Sequence, residues 1–154
     1  MRRIKNLFVF LCATVLLASC GDIFEEIVEA GDDQGAIFVG EIVVDNNDGT
    51  QFVKEDVEVG YLLNDDGTLT ILMKKVKFAS AMPAINMEVP GVTVSGDNGA
   101  MTLTGDGIVP IAMGGEFKKF TITNLVGAIS AEKFDLSFTC GDYPVTYIGY
   151  PSVN

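Results

Sequence analysis

The chain has no histidine and no tryptophan among its 154 residues, and only three cysteines. Without histidine there is no Ser-His-Asp or Cys-His relay, no imidazole metal ligand and no side chain that ordinarily titrates near neutral pH. Basic residues are scarce too: 10 Lys and Arg stand against 21 Asp and Glu. So acidic a chain repels phosphate backbones and anionic lipid head groups, and neither nucleic acid nor an anionic lipid surface is expected as a partner. No apolar run reaches the roughly 20 residues that a helix needs to cross a hydrocarbon core. There is no GxSxG elbow, phosphate loop or dinucleotide fingerprint. A carboxylate pair of the glycosidase kind could still be assembled. Yet almost every acid falls in a turn, near the N-terminus or on the polar face of a strand. The sequence therefore reads as a non-enzyme, with no catalytic residue, no metal site and no cofactor.

What is present begins with an export signal. Met1-Arg2-Arg3-Ile4-Lys5-Asn6 is a short positive segment, and Leu7 to Ala18 is apolar. A positive start, a short apolar middle and a small-residue end are the parts of a secretory signal. The end, Leu17-Ala18-Ser19-Cys20-Gly21, resembles the lipobox of bacterial lipoproteins, which are cut before the cysteine and acylated on it. Residues 1–19 are thus expected to be the signal peptide and Cys20 the lipidation site. Each buried CH₂ of the acyl chains contributes about 0.8 kcal/mol, so two or three chains hold a protein stably to a membrane without spanning it. The implied location is the bacterial cell envelope, at the outer membrane, with the lipid anchor as the only membrane contact. Cleavage removes Arg2, Arg3 and Lys5 but no acid, taking the net charge from −11 to about −14.

Cleavage also removes Cys12, and acylation uses Cys20. Cys140 alone remains, so no intramolecular disulfide can form and packing must hold the domain. Cys140 follows Phe134, Leu136 and Phe138 at a spacing of two, which predicts a small buried residue on the core face. Roughly 135 residues are left, enough for one domain with a real core, and a monomer is expected.

Residues 20–34 form an acidic tether, in which Ile23, Phe24, Ile27 and Val28 fall at helical spacing. The domain proper, 35–154, is β-patterned. Ala36–Val44 is rich in branched residues. Period-two alternation follows in Gln51–Leu63, in Leu69, Ile71 and Met73, in Ile85, Met87 and Val89, and in Val92 and Val94 after Pro90-Gly91. It continues through Met101–Thr104, Phe117–Leu125 and Phe134–Cys140, and Val145–Tyr150 closes the set. Such alternation marks strands with one face buried. Asp48-Gly49, Asp66-Gly67, Asn98-Gly99 and Asp106-Gly107 are dipeptides that tolerate positive φ at hairpin corners. About eight short strands so spaced predict an all-β antiparallel up-and-down barrel, with a β-sandwich as the alternative. Strand number is least defined over residues 79–115.

Three features invite a site. Asp45-Asn46-Asn47-Asp48-Gly49 and Asn64-Asp65-Asp66-Gly67 suggest calcium loops, but an EF-hand loop needs an acid five residues before its glycine, and Val44 and Leu62 stand there. They are expected to be plain hairpin turns, and the likeness of 40–50 to 60–68 to reflect two similar hairpins. Met73, Met82, Met87, Met101 and Met113 suit either core gaps or an irregular apolar ligand, with the core favoured. Tyr143, Tyr147 and Tyr150 suit a barrel mouth or a structural role.

The lipobox, the acidic tether, Gly35-Ala36-Ile37-Phe38-Val39-Gly40, Asp66-Gly67-Thr68-Leu69-Thr70-Ile71 and Tyr143-Pro144-Val145-Thr146-Tyr147-Ile148-Gly149-Tyr150 together resemble the calycin-like (lipocalin-like) lipoproteins of the Bacteroidetes over about residues 35–150. The resemblance implies an eight-stranded up-and-down barrel and brings no catalytic residues with it. An eight-stranded barrel is wide enough to hold one small ligand or to be filled by side chains. The expected function is binding of a small apolar or amphipathic ligand in or at the mouth of the barrel. The alternative is a structural or adhesive surface module that binds protein or glycan through its loops. Replacing Cys20 with Ala is expected to move the protein from the membrane fraction to the soluble fraction. Retention on membranes after detergent-free washing would contradict lipidation.

Overall fold

The computed structural model describes residues 36–152 apart from Asn98; the segment 1–35, with Cys12, Cys20 and the tether, lies outside the described residues. Ten strands follow in chain order: β1 (Phe38–Asp45), β2 (Gln51–Leu63), β3 (Thr68–Val76), β4 (Ile85–Asp97), β5 (Ala100–Gly105), β6 (Ile111–Ala112), β7 (Gly115–Glu116), β8 (Ile122–Ser130), β9 (Phe134–Cys140) and β10 (Tyr143–Pro151). Eight of them form a closed antiparallel barrel, β1-β2-β3-β4-β5-β8-β9-β10, with β10 returning to β1. The two-residue strands β6 and β7 form a small hairpin laid against Met87 and Glu88 of β4.

Closure occurs where the two terminal apolar segments meet. β1 pairs with β10 from Phe38↔Pro151 to Val44↔Val145. Both segments are β-branched or aromatic and neither has a charge pattern suited to a free edge, so pairing them removes the edges of the sheet. Two glycines make this seam tight. A Cβ on Gly40 would land on the Ile148 carbonyl, and one on Gly149 would land on the Tyr147 hydroxyl and ring. In the space these glycines leave, the Tyr147 hydroxyl donates to the carbonyls of Phe38 (3.1 Å) and Val57 (3.4 Å). One buried phenol thereby joins β10, β1 and β2.

Curvature comes from four bulges. The register slips at Gly40/Ile42 of the β1–β2 pair, twice in β3–β4, and at Thr123/Val126 of β8–β9. At each slip one strand carries an extra residue, and each time a residue with positive φ is in it: Asp56 (56°), Lys75 (52°), Gly91 (70°) and Asn124 (51°). A bulge bends its strand and increases local twist, which is what closing a small barrel requires. Side chains also support the bulge backbones: Asn86 Oδ1 accepts from Lys75 N–H at 3.0 Å, and Asp106 Oδ1 accepts from Asn124 N–H at 3.1 Å.

Alternation puts Phe38, Ile42, Val57, Leu69, Met87, Leu103, Phe134, Leu136 and their neighbours inside, and no buried polar or charged residue occurs among the described residues. Phe134 is central. Phe38, Tyr61 and Tyr147 each meet its ring edge-to-face, at centroid distances of 5.4, 6.2 and 6.0 Å. Tyr61 comes from β2 and Phe134 from β9, so aromatic side chains cross the interior. Outside, charged groups such as Glu41, Glu58, Lys74 and Asp135 face solvent. A membrane-spanning barrel has the reverse arrangement, with its apolar band outward.

The strand reading needs correction in three places. Pro90-Gly91 does not break a strand: β4 runs on through it, because the Gly91 bulge absorbs one residue and keeps Val89 and Val92 both inside. Phe117–Leu125 is not one strand. Lys118–Phe120 is a turn of 3₁₀ helix, and β8 begins at Ile122 and continues to Ser130. The β6–β7 hairpin had no counterpart in the reading, since two-residue strands are too short to show alternation.

The seam makes a sharp prediction about coupling. Tyr147→Phe should lower unfolding free energy by about 1–2 kcal/mol through its unpaired carbonyls, and Gly149→Ala by roughly 1–3 kcal/mol through overpacking. Because the two groups occupy the same space, the double variant should lose less than the sum of the single losses in urea unfolding. Strict additivity would contradict the packing described.

Candidate functional site at the lower mouth of the barrel

The barrel ends differ. At one end, here the upper, lie the short turns 64–67 and 131–133, the short β4–β5 connection and the ends of the described chain. At the lower end lie the β1–β2 turn, the longer 77–84 loop, the 106–121 excursion and the β9–β10 turn. These lower connections are tied together. Asn47 Nδ2 donates to the Asp142 carbonyl at 2.8 Å, and Gly141 N–H donates to the Thr121 carbonyl at 3.0 Å.

The two longer connections carry aromatic residues that close the lower end. Phe78, from 77–84, meets Phe120 at 5.9 Å and Phe138 at 6.5 Å; Phe120 in turn meets Phe117 at 4.8 Å. The spacing of Phe117 and Phe120 explains the 3₁₀ turn: side chains three apart eclipse in that geometry, so both rings reach the same plug. Phe78 is buried, whereas Phe117, Phe120 and Met82 are only half-buried and pack against the core from outside.

The β6–β7 hairpin runs down beside β4 and ends in Met113-Gly114. Both residues have positive φ, 52° and 82°. That is the two-residue turn for which Asn-Gly is the usual choice. An L-residue with a Cβ held there costs roughly 1–2 kcal/mol. Met113 is nevertheless 71% exposed, the highest value among the exposed large hydrophobic residues. Lys118 and Lys119 follow in the adjoining 3₁₀ turn, and Lys77 precedes Phe78 on the facing loop. The acids within these two connections are Asp106, which accepts from Asn124 N–H, and Glu116, with its carboxylate 3.8 Å from Lys118 Nζ and both of those side chains well exposed.

The residues singled out in the sequence are dispersed by the fold. Met73, Met87 and Met101 are core residues, Met82 is half-buried, and Met113 stands in solvent. The tyrosines do not form one site: Tyr147 is buried, while Tyr143 and Tyr150 are exposed. The acidic turns are two copies of one hairpin corner. Asp48 accepts from Thr50 N–H and Asp66 from Thr68 N–H, at 2.8 and 2.9 Å, while Asn46 and Asn64 bond the same threonine hydroxyls. Those threonine hydrogen bonds hold both carboxyls below the usual carboxylate range. Among the described residues no group of three or more potential ligands could hold a metal ion. Cys20 lies outside the described residues.

Cys140 is buried as expected, at the lower end of β9, with its thiol 3.8 Å from the Phe120 carbonyl. Burial pushes the thiol up to about 12, and burial raises the Tyr147 phenol as well.

The architecture is thus a closed, up-and-down, eight-stranded antiparallel barrel, compatible with a calycin-like fold. No family model, no curated protein and no solved structure matches the chain.

An unfolded thiol ionises near 9 and the buried one only at about 12, so the Cys140 contribution to stability is complete below pH 9 and is lost as pH rises from 9 toward 12. In urea unfolding the wild type should therefore lose stability relative to Cys140→Ala as pH rises, the difference between the two changing by about 3 kcal/mol from pH 8 to pH 11. A pH-independent gap would show that the thiol is not held neutral by burial.

Proposed function

We propose that this protein is an exported lipoprotein, tethered through Cys20 to the outer membrane of the bacterial cell envelope and related to the calycin-like lipoproteins of the Bacteroidetes. Its barrel binds a small apolar or amphipathic molecule at the lower mouth. The observation that carries this reading is that Phe117 and Phe120, in contact at 4.8 Å, and Met82 are only half-buried in the lower connections, where Met113 is exposed. Apolar surface left open beside a packed core is where an apolar ligand gains most from leaving water. The interior supports placing the ligand at the mouth, because the rings of Phe38, Tyr61, Phe134 and Tyr147 cross it. No step of catalysis is assigned, and no nucleic acid, metal or cofactor enters the proposal.

The same filled interior favours one other reading, a structural or adhesive surface module that binds protein or glycan through its loops. An uncharged fluorescent amphiphile, 1-aminoanthracene, separates the two. For the ligand reading its emission should rise saturably with wild type, and Met113→Ser with Phe117→Ser should weaken that binding at least tenfold without lowering the melting temperature by more than a few degrees. Absence of saturable binding, or binding that the substitutions leave unchanged, would overturn the mouth as the site.

A further inference from the structure

We propose that Met113 is an oxidation site, and that converting its thioether to the sulfoxide switches off amphiphile binding at the lower mouth. The switch rests on the reading of the mouth as an amphiphile site; the modification does not. The first ground is access. Met113 is 71% exposed, whereas Met73 and Met87 are fully buried, Met101 is 3% exposed and Met82 is half-buried. The space at the tip is open as well: a Cβ built on Gly114 or Gly115 meets nothing within 4 Å. The other sulfur among the described residues, that of Cys140, is buried and held as a neutral thiol by that burial. A peroxide in solution therefore reaches one thioether well before it reaches the other sulfurs.

The oxidant is a peroxide. The sulfur lone pair attacks one peroxide oxygen, the O–O bond breaks and an S–O bond forms; from hydrogen peroxide the leaving species is water. The sulfur loses two electrons and the peroxide gains them. The product is polar and chiral where the thioether was apolar. The second ground is position. Met113 tips the β6–β7 hairpin, whose strands pair from Ile111↔Glu116 to Ala112↔Gly115. Phe117 N–H donates to the Pro110 carbonyl at 2.8 Å and closes the base of the same hairpin. The thioether and the half-buried Phe117 ring thus belong to one short element. Placing a sulfoxide dipole there sets a group that needs water beside apolar surface that a ligand must dry. The backbone at this tip would take Asn or Gly at less cost, since φ at Met113 is 52°. Exposed as it is, the Met113 side chain adds little to the packing of the fold, and what it brings to the tip is an oxidisable sulfur.

The native full chain, treated with hydrogen peroxide and mapped by peptide mass over time, should gain oxygen at Met113 about tenfold faster than at Met82, and faster still than at Met73, Met87 and Met101. Its affinity for 1-aminoanthracene should fall by about tenfold as Met113 is oxidised. Treatment with a pair of methionine sulfoxide reductases, one for each epimer, should restore it. The affinity of Met113→Leu should be the same before and after peroxide. Oxygen uptake at the buried methionines as fast as at Met113 would overturn the site. Oxidation of Met113 with no change in affinity would overturn the switch and leave the mouth as an amphiphile site. Absence of saturable binding before peroxide would overturn the mouth reading and the switch together, and the oxygen map alone would then decide the modification.

Discussion

The fold depends on one constraint: the long, apolar strands of a sheet with no helix to cover it need their edges paired or shielded, and here the barrel pairs them by closing. β1 and β10, from opposite ends of the domain, satisfy each other from Phe38↔Pro151 to Val44↔Val145. Their junction requires backbone contact closer than side chains permit, hence Gly40 facing Gly149. The volume released is taken by Tyr147, with its hydroxyl ending on two carbonyls of neighbouring strands. Closing a sheet also means bending it, and the four bulges provide the bends. Three of them place Asp56, Lys75 or Asn124 at positive φ, a conformation that Asp and Asn accept more readily than Lys. Part of the stability gained by closure is thus offset by local backbone strain.

Closure also determines where function can sit. Once eight strands are joined at this size, large side chains from several strands reach one another, and Phe134 with its three aromatic neighbours occupies the upper interior. The exterior of the barrel wall mixes charged residues with exposed Val53, Val126, Ile148 and Tyr150. The lower end differs in kind, because the excursion between β5 and β8 gives it half-buried rings, an exposed methionine and lysines.

Much of this was legible from the residues. Alternation identified the barrel strands, and Asp48-Gly49 and Asp66-Gly67 located two of the hairpin corners. The spacing of Phe134, Leu136, Phe138 and Cys140 placed the thiol inside. Bulges were not legible, because one extra residue inverts the pattern locally and looks like a break; Pro90-Gly91 is the clearest instance. Nor was the lower mouth. Phe117-Lys118-Lys119-Phe120 fits an alternating strand end nearly as well as a turn with a spacing of three, and only the position of Phe78 from a distant loop decides between them. Met113-Gly114-Gly115 carried a turn signal in its glycines, but nothing local showed that its methionine would remain in solvent.

Native-state amide hydrogen exchange across a range of denaturant concentrations tests the closure most directly. If the β1–β10 seam holds the barrel together, the hydrogen-bonded amides of β1 and β10 should exchange only through global unfolding, with the same free energy as those of β8 and β9. Exchange of β1 and β10 through a lower-energy opening, while β8 and β9 stay protected, would show that the barrel survives with its seam apart and would contradict this account.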